Sequence, residues 1–182
     1  SNDFQSNILN ILATLTILSI FFDISKISKN IFTNFETPNG RGDISKININ
    51  NKKLYLIDES YNSNPLSLKS AIFNYNKLES KKSKKYLLLG DMLELGKNSK
   101  KLHQSIGTII NRTKIDKVFV KGNNVLSTYN SILKSKRGRI LNDNSQIIDL
   151  IKNDLNNNDY LMVKASNATG FNKVINSLKG LD

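Results

Sequence analysis

An open, mostly parallel α/β sheet with helices on both faces is the fold the sequence predicts. Two observations carry that expectation. From Asp43 onward, short apolar segments alternate with longer stretches whose apolar residues recur at helical spacing. Most of the short segments also end in a polar or glycine-containing cluster, the composition expected where a strand hands over to a helix. Residues 1–42 follow a different pattern and read as a separate region.

Taken in order, Ile8 to Phe22 is the most apolar stretch. Asn10, Thr14, Thr16 and Ser19 interrupt it, so it falls short of the roughly 18 uninterrupted apolar residues of a membrane span. It lacks the basic leader and small-residue cleavage site of a secretory signal, and a buried or amphipathic helix is expected. Ile24, Ile27, Ile31 and Phe35 predict a second short helix over Ile24 to Phe35, ended by Pro38, Asn39, Gly40 and Gly42. A domain boundary is expected there, dividing residues 1–42 from 43–182. Two such helices cannot make a core alone and must pack on something else.

Ile44, Ile47 and Ile49, then Leu54, Leu56 and Ile57, flank a polar turn at Asn50-Asn51 and predict a hairpin whose second arm is the strand Leu54–Asp58. Pro65 to Leu78 reads as a helix with proline in its first turn. Strands are then expected at Tyr86–Leu89, Lys117–Val120, Arg139–Leu141 and Tyr160–Val163. The intervening helices are Ser99 to Arg112, Val125–Leu133, Ser145–Leu155 and finally Gly170–Leu178.

At 182 residues the chain can form one substantial domain and a small appendage. Having no cysteine, it excludes disulfides, zinc-thiolate sites and cysteine nucleophiles, and a single histidine excludes a multi-histidine metal site. A soluble, cytoplasmic protein is expected. The net charge of +12 needs discounting, because Lys, Asn and Ile, which share A/T-rich codons, supply 72 of the 182 residues. Only 4 of the 27 basic residues are arginine, the side chain favoured for bidentate grip on phosphates and bases. The run Lys81, Lys82, Lys84, Lys85 reads as a solvated loop before a strand, so nucleic-acid binding is the minority reading.

Parallel sheets place ligands at the carboxyl ends of their strands, which singles out Asp58–Pro65, Gly90–Gly96, Lys121–Asn124 and Lys164–Gly170. In the first of these, two carboxylates, a phenol and two amides crowd one strand end. Helix capping would need a single such residue, so a site is the preferred reading. In the second, Asp91 and Glu94 sit between glycines and could orient an amine or a metal-bound water; an ordinary loop explains them equally. Gly40-Arg41-Gly42 leaves an arginine accessible in a mobile hinge, useful as a phosphate clamp, though a plain linker has the same composition. His103, lone on its helix, reads as structural. Lys164-Ala165-Ser166-Asn167-Ala168-Thr169-Gly170 suits an anion but lacks the two-glycine spacing of a phosphate loop. No G-x-x-x-x-G-K-[ST], no G-x-G-x-x-G and no nucleophile–base–orienter set occurs, so the chain alone does not look like a complete catalyst.

Taken together these segments resemble the C-terminal part of the Mur ligases, nearest the branch that adds D-alanyl-D-alanine to a UDP-muramoyl tripeptide. The resemblance is carried by Asp58-Glu59-Ser60-Tyr61-Asn62-Ser63-Asn64-Pro65, by Leu89-Gly90-Asp91-Met92-Leu93-Glu94-Leu95-Gly96 with His103 downstream, and by Val163-Lys164-Ala165-Ser166. Gly40-Arg41-Gly42 is similar to the family's interdomain arginine, and Asn7 to the asparagine that closes its central domain. The family has a UDP-sugar domain, a central ATP-binding domain with a phosphate loop, and a Rossmann-like C-terminal domain. The resemblance therefore implies that this chain holds the last two helices of the central domain and the whole third domain, and is inactive without the rest.

What the resemblance implies chemically is amide ligation: ATP phosphorylates the peptide carboxylate, magnesium neutralises phosphate charge, and the dipeptide amine attacks the acyl phosphate. It places Asn7, Arg41, Asp58, Glu59, Tyr61, Asn62 and Asn64 on the nucleotide side, with Arg41 on phosphate and Asp58 or Glu59 on the ribose. Asp91, Glu94, His103, Lys164 and Ser166 fall on the substrate side. It implies no catalytic residue and no metal ligand within this stretch, with magnesium held mainly by the absent central domain. The implied partners are the UDP-muramoyl tripeptide, D-alanyl-D-alanine and the missing domains, without nucleic acid or membrane. Two residues depart from the family pattern. Glu59 replaces a second aspartate, and Ala165 replaces a glycine, which disfavours positive φ at that turn. The competing readings are another Mur ligase adding a different amino acid, and a free-standing basic α/β module binding an acidic partner.

Overall fold

The computed structural model describes residues 2–28, 30, 40–80 and 82–180, with residues 2–7 described by backbone only. The chain divides into two compact units, Ser1–Thr37 and Pro38–Asp182.

In the first unit, helix α1 (Asn2–Leu18) covers most of the apolar stretch. The hydroxyls of Thr14 and Thr16 interrupt the pattern without interrupting the helix, because each donates back to a main-chain carbonyl one turn earlier, Asn10 O at 2.9 Å and Leu12 O at 2.8 Å. Of the second helix expected over Ile24 to Phe35, the described residues form a 3-10 turn, Ile24–Lys26, after which Ile27 is extended (φ −71, ψ 129). Asp23 caps the start of this turn, its Oδ1 accepting from the Ser25 amide and hydroxyl. Beyond it the Ser28 hydroxyl accepts from the Asn30 amide, a local side-chain bond that competes with helix continuation. Positions 31–35 of that expected helix, and Pro38 and Asn39, lie outside the described residues.

The second unit is built on a six-stranded sheet in the order β1-β2-β6-β3-β4-β5. Its strands are β1 (Asp43–Ile49), β2 (Lys52–Glu59), β3 (Lys85–Gly90), β4 (Lys117–Lys121), β5 (Arg137–Ile140) and β6 (Tyr160–Lys164). The hairpin expected at Asn50-Asn51 joins β1 to β2 antiparallel, with both asparagines at positive φ (49° and 62°) as a twist-matched two-residue turn requires. Every other neighbouring pair is parallel. Strand β5 begins two residues before the expected Arg139. Gly138 permits this, since a Cβ there would lie 2.6 Å from the Phe119 ring.

The helices are α2 (Pro65–Lys77), α3 (Ser99–Asn111), α4 (Leu126–Ser131), α5 (Ser145–Asp154) and α6 (Phe171–Lys179). Alternation along the strands divides the core. Leu56, Leu88 and Val163 pack with Ile147, Ile151 and Phe171 of α5 and α6 on one face, whereas Ile57, Leu87 and Met162 pack with Leu68, Ile72 and Ile106 of α2 and α3 on the other. The chain leaving β2 or β3 therefore turns to one face and the chain leaving β6, which lies between them, turns to the opposite face. That reversal opens a crevice at the carboxyl ends of β2, β6 and β3, the place such sheets keep their ligands.

Candidate functional site

Gly40-Arg41-Gly42 lies in the second unit and is pinned to the loop leaving β2. The Gly42 amide donates to Asp58 O at 2.7 Å, the Tyr61 amide to Gly40 O at 3.2 Å, and the Gly40 amide to Asp43 Oδ1 at 2.9 Å. Both glycines are at positive φ (81° and 97°), and a Cβ on Gly40 would come within 3.0 Å of the Tyr61 amide nitrogen. The exposed Arg41 guanidinium stands 4.4 Å from the centre of the Tyr61 ring, itself 48% exposed.

Beneath them Lys164, the last residue of β6, is 2% exposed. Its ammonium donates to Asn62 O at 2.7 Å and to Glu59 Oε2 at 3.2 Å. Burial pushes its pKa below the ordinary lysine value, Glu59 pulls it partly back, and the nearby charge of Arg41 lowers it further. Lys164 thus pairs with the half-buried Glu59 while the Arg41 charge acts on it, a local concentration of positive charge at the crevice mouth. This is a donor set suited to phosphate oxygens, flanked by an aromatic ring that can lie against a base or sugar.

Asp58 has a different task. It is 1% exposed, Oδ1 accepts from the Ser60 amide (3.0 Å) and hydroxyl (2.6 Å), and Oδ2 accepts from Lys179 Nζ at 2.6 Å. Glu59 is thus the carboxylate of the pair that reaches the crevice. Asn64 caps α2: its Oδ1 accepts from the Ser67 amide at 2.8 Å while the Ser67 hydroxyl accepts from the Asn64 amide, a reciprocal capping box with Pro65 opening the helix. Asn62 is exposed, its Oδ1 turned back to the Ser63 amide.

On the β3 side, Asp91 is also spent on the framework. Its two carboxylate oxygens accept from the amides of Val125 (2.8 Å) and Asn123 (3.2 Å), bracing the loop after β4, where Gly122 makes room for it. His103 is 1% exposed. Its Nδ1 donates to Ser99 O at 2.9 Å, which leaves Nε2 as an acceptor for the Met92 amide at 3.2 Å, so the neutral ring holds the Gly90–Gly96 loop from below. Ser166 knits three segments together: its hydroxyl accepts from the Leu93 amide (3.2 Å) and donates to Ser63 O (3.4 Å), and its amide donates to Asp91 O. Glu94 is exposed at the loop crest in a left-handed conformation (φ 63), which is uncommon for glutamate. Ala165 is fully buried against Gly90 without positive φ; a Cβ on Gly90 would meet the Ala165 methyl at 2.7 Å, so small size at position 90 is what lets alanine stand at 165.

The structure therefore gathers Arg41, Glu59, Tyr61, Asn62 and Lys164 at the ends of β2 and β6, and Glu94 and Ser166 at the neighbouring β3–β6 edge. The side chain of Asn7 lies outside the described residues. One contributor, Lys179 on the closing helix, had no sequence signal. Ser63, within the quoted motif, has a buried Oγ with no hydrogen-bond partner among the described residues. With Asp58 and Asp91 internally satisfied, the carboxylates do not fit a magnesium site, and among the described residues no group of three or more His, Asp or Glu is placed to hold a metal. Among the described residues no helix is long and apolar enough to cross a membrane.

The family described as Mur ligase, glutamate ligase domain, matches residues 45–167. A UDP-N-acetylmuramoyl-tripeptide–D-alanyl-D-alanine ligase of Bacillus subtilis is 31% identical over 128 residues, 69% of this chain and 28% of that protein. Its Haemophilus influenzae counterpart is 34% identical over 132 residues, covering 69% of this chain and 27% of that protein. The chain thus spans little more than a quarter of these relatives. The crystal structure of a MurF ligase from Thermotoga maritima in complex with ADP superposes with a TM-score of 0.69 over 96% of this chain and 38% of that one, at 24% identity. With the family match spanning most of the second unit and that fold shared, the chain belongs to the Mur ligase family.

Proposed function

We propose that this chain is the C-terminal portion of an ATP-dependent carboxylate–amine ligase of peptidoglycan-precursor synthesis. The reaction is addition of D-alanyl-D-alanine to UDP-N-acetylmuramoyl-tripeptide through an acyl phosphate, in the cytoplasm. Residues 1–42 are then the end of a central ATP-binding domain plus the hinge, whose Gly40-Arg41-Gly42 packs on the closing domain of residues 43–182. The observation that carries the reading is the cationic cluster of Arg41 and Lys164 beside Tyr61 and Glu59, at the strand ends where this fold keeps ligands.

In this reading Arg41 meets nucleotide phosphate, Tyr61 lies against the nucleoside, Glu59 accepts from ribose hydroxyls, and Asn62 lines the same side. Glu94 and Ser166 face the dipeptide. Asp58, Asn64, Asp91 and His103 shape the loops that carry these groups. Support comes from the relatives named for this reaction and from the ADP held by the Thermotoga protein. Magnesium finds no ligand set among the described residues and is assigned to the preceding domain. The chain alone lacks a phosphate loop and is expected to release no phosphate from ATP.

Backbone NMR titration of the 182-residue chain tests the assignment. ADP should shift the amides of Arg41, Tyr61, Asn62 and Lys164, and D-alanyl-D-alanine those of Leu93 to Gly96 and Ser166. ADP shifts confined to the opposite end of the sheet, around the cavity lined by Lys84, Arg137 and Arg139, would overturn it.

A further inference from the structure

We infer that Lys179, at the end of the last helix, is a positioning residue for Arg41: through Asp43 and Asp58 it fixes the backbone that presents the guanidinium. The inference rests on the reading of Arg41 as the nucleotide clamp.

Strand register creates the need for it. Asp43 and Asp58 are directly cross-strand in the β1–β2 hairpin, where like charges repel. Lys179 Nζ sits between them, 2.5 Å from Asp43 Oδ2 and 2.6 Å from Asp58 Oδ2, and its side chain is only 5% exposed. Each aspartate, held by one carboxylate oxygen, also bonds the arginine segment, Asp43 through its other carboxylate oxygen and Asp58 through its main-chain carbonyl. Asp43 Oδ1 takes the Gly40 amide, and Asp58 O takes the Gly42 amide, so the residues on both sides of Arg41 are anchored. Asp58 Oδ1 takes the Ser60 amide and hydroxyl, which sets the turn that brings Tyr61 under the guanidinium. A residue 121 positions from Asp58 in the chain thereby closes a network with the clamp at its far end. Without the ammonium the two carboxylates separate, and the glycines flanking Arg41 regain the freedom their lack of a side chain allows.

The test uses the 182-residue chain carrying Lys179→Met or Lys179→Arg, with amide hydrogen exchange and ADP titration as readouts. Lys179→Met should lower protection at the Gly40, Gly42, Ser60 and Tyr61 amides, leave the Leu87 and Leu88 amides unchanged, and weaken ADP binding about tenfold. Lys179→Arg, which keeps the charge, should restore most of both. In an Arg41→Ala background Lys179→Met should weaken ADP less than it does in the wild type, because much of its effect runs through Arg41. Unchanged protection at Gly40 and Gly42, or an ADP loss that adds fully to that of Arg41→Ala, would overturn the inference. Should Lys179→Met fail to fold, Asp43→Ala leaves the Lys179–Asp58 pair intact and should release the Gly40 amide selectively. If wild type binds no ADP, the nucleotide reading fails, and exchange at Gly40 and Gly42 still decides whether Lys179 anchors the segment.

Discussion

Two buried lysines flank the carboxyl end of β2, and their surroundings differ in a way that separates framework from site. Burial disfavours the charged form of both. At Lys179 the hydrogen bonds and charges of Asp43 and Asp58 more than offset that cost, and its pKa rises above the ordinary lysine value. At Lys164 a single half-buried carboxylate does not suffice, Arg41 adds like charge, and the pKa falls. The first cluster is closed: each oxygen of Asp58 is used. The second is short of negative charge and open to solvent at Arg41. A buried lysine whose pKa burial holds low, beside a second cation in a crevice, is a candidate anion-binding site.

Stability should therefore respond unequally to two matched substitutions. Lys179→Met leaves two carboxylates facing each other, one of them fully buried, and should cost about 3–5 kcal/mol, read as a lower urea midpoint. Lys164→Met removes a cation whose burial was poorly offset and puts an apolar stem in the same place; it should cost no more than about 1 kcal/mol. Equal losses would remove the distinction drawn between the two clusters.

Their pH dependences should also have opposite signs. A lysine with a raised folded pKa contributes stability that is complete below the ordinary value of 10.5 and is lost as pH rises through the folded pKa, so the Lys179 contribution should fade only above about pH 10.5. For Lys164 the folded pKa is the lower one, the unfolded chain binds more protons, and its contribution to stability should rise with pH up to 10.5. Urea midpoints of each methionine variant against wild type check both signs, read from neutral pH to about 10.5 for Lys164 and from about 10.5 upward for Lys179. The smallest effect is expected at the floor of the crevice. Ser63→Ala deletes a buried hydroxyl that has no partner among the described residues, and stability should hold or rise by up to ~1 kcal/mol.

The sheet was legible in the sequence because short apolar runs such as Tyr86–Leu89 and Tyr160–Val163 must be buried on both faces, and Asn50-Asn51 admits the positive φ of a tight hairpin. The crevice followed from the fold. Within it, residue types alone could not distinguish a side chain facing solvent from one turned inward. Asp58, Asp91 and His103 have the chemistry of ligand contacts, but each is held by bonds to remote backbone or side chains. Lys179 was illegible for the same reason, because its partners come from the far end of the unit. In the helix expected from Ile24 the turn ends by Ile27, which was not legible because spacing records apolar recurrence and not competing local bonds such as that of Ser28.

Phosphate release by the complete protein that carries this chain, supplied with ATP, magnesium and the UDP-muramoyl tripeptide, tests the central assignment most directly. Turnover should require D-alanyl-D-alanine, and Arg41→Ala should raise the KM for ATP at least tenfold by removing one phosphate contact. Equal turnover with a single amino acid in place of the dipeptide, or an unchanged KM in the Arg41 variant, would contradict it.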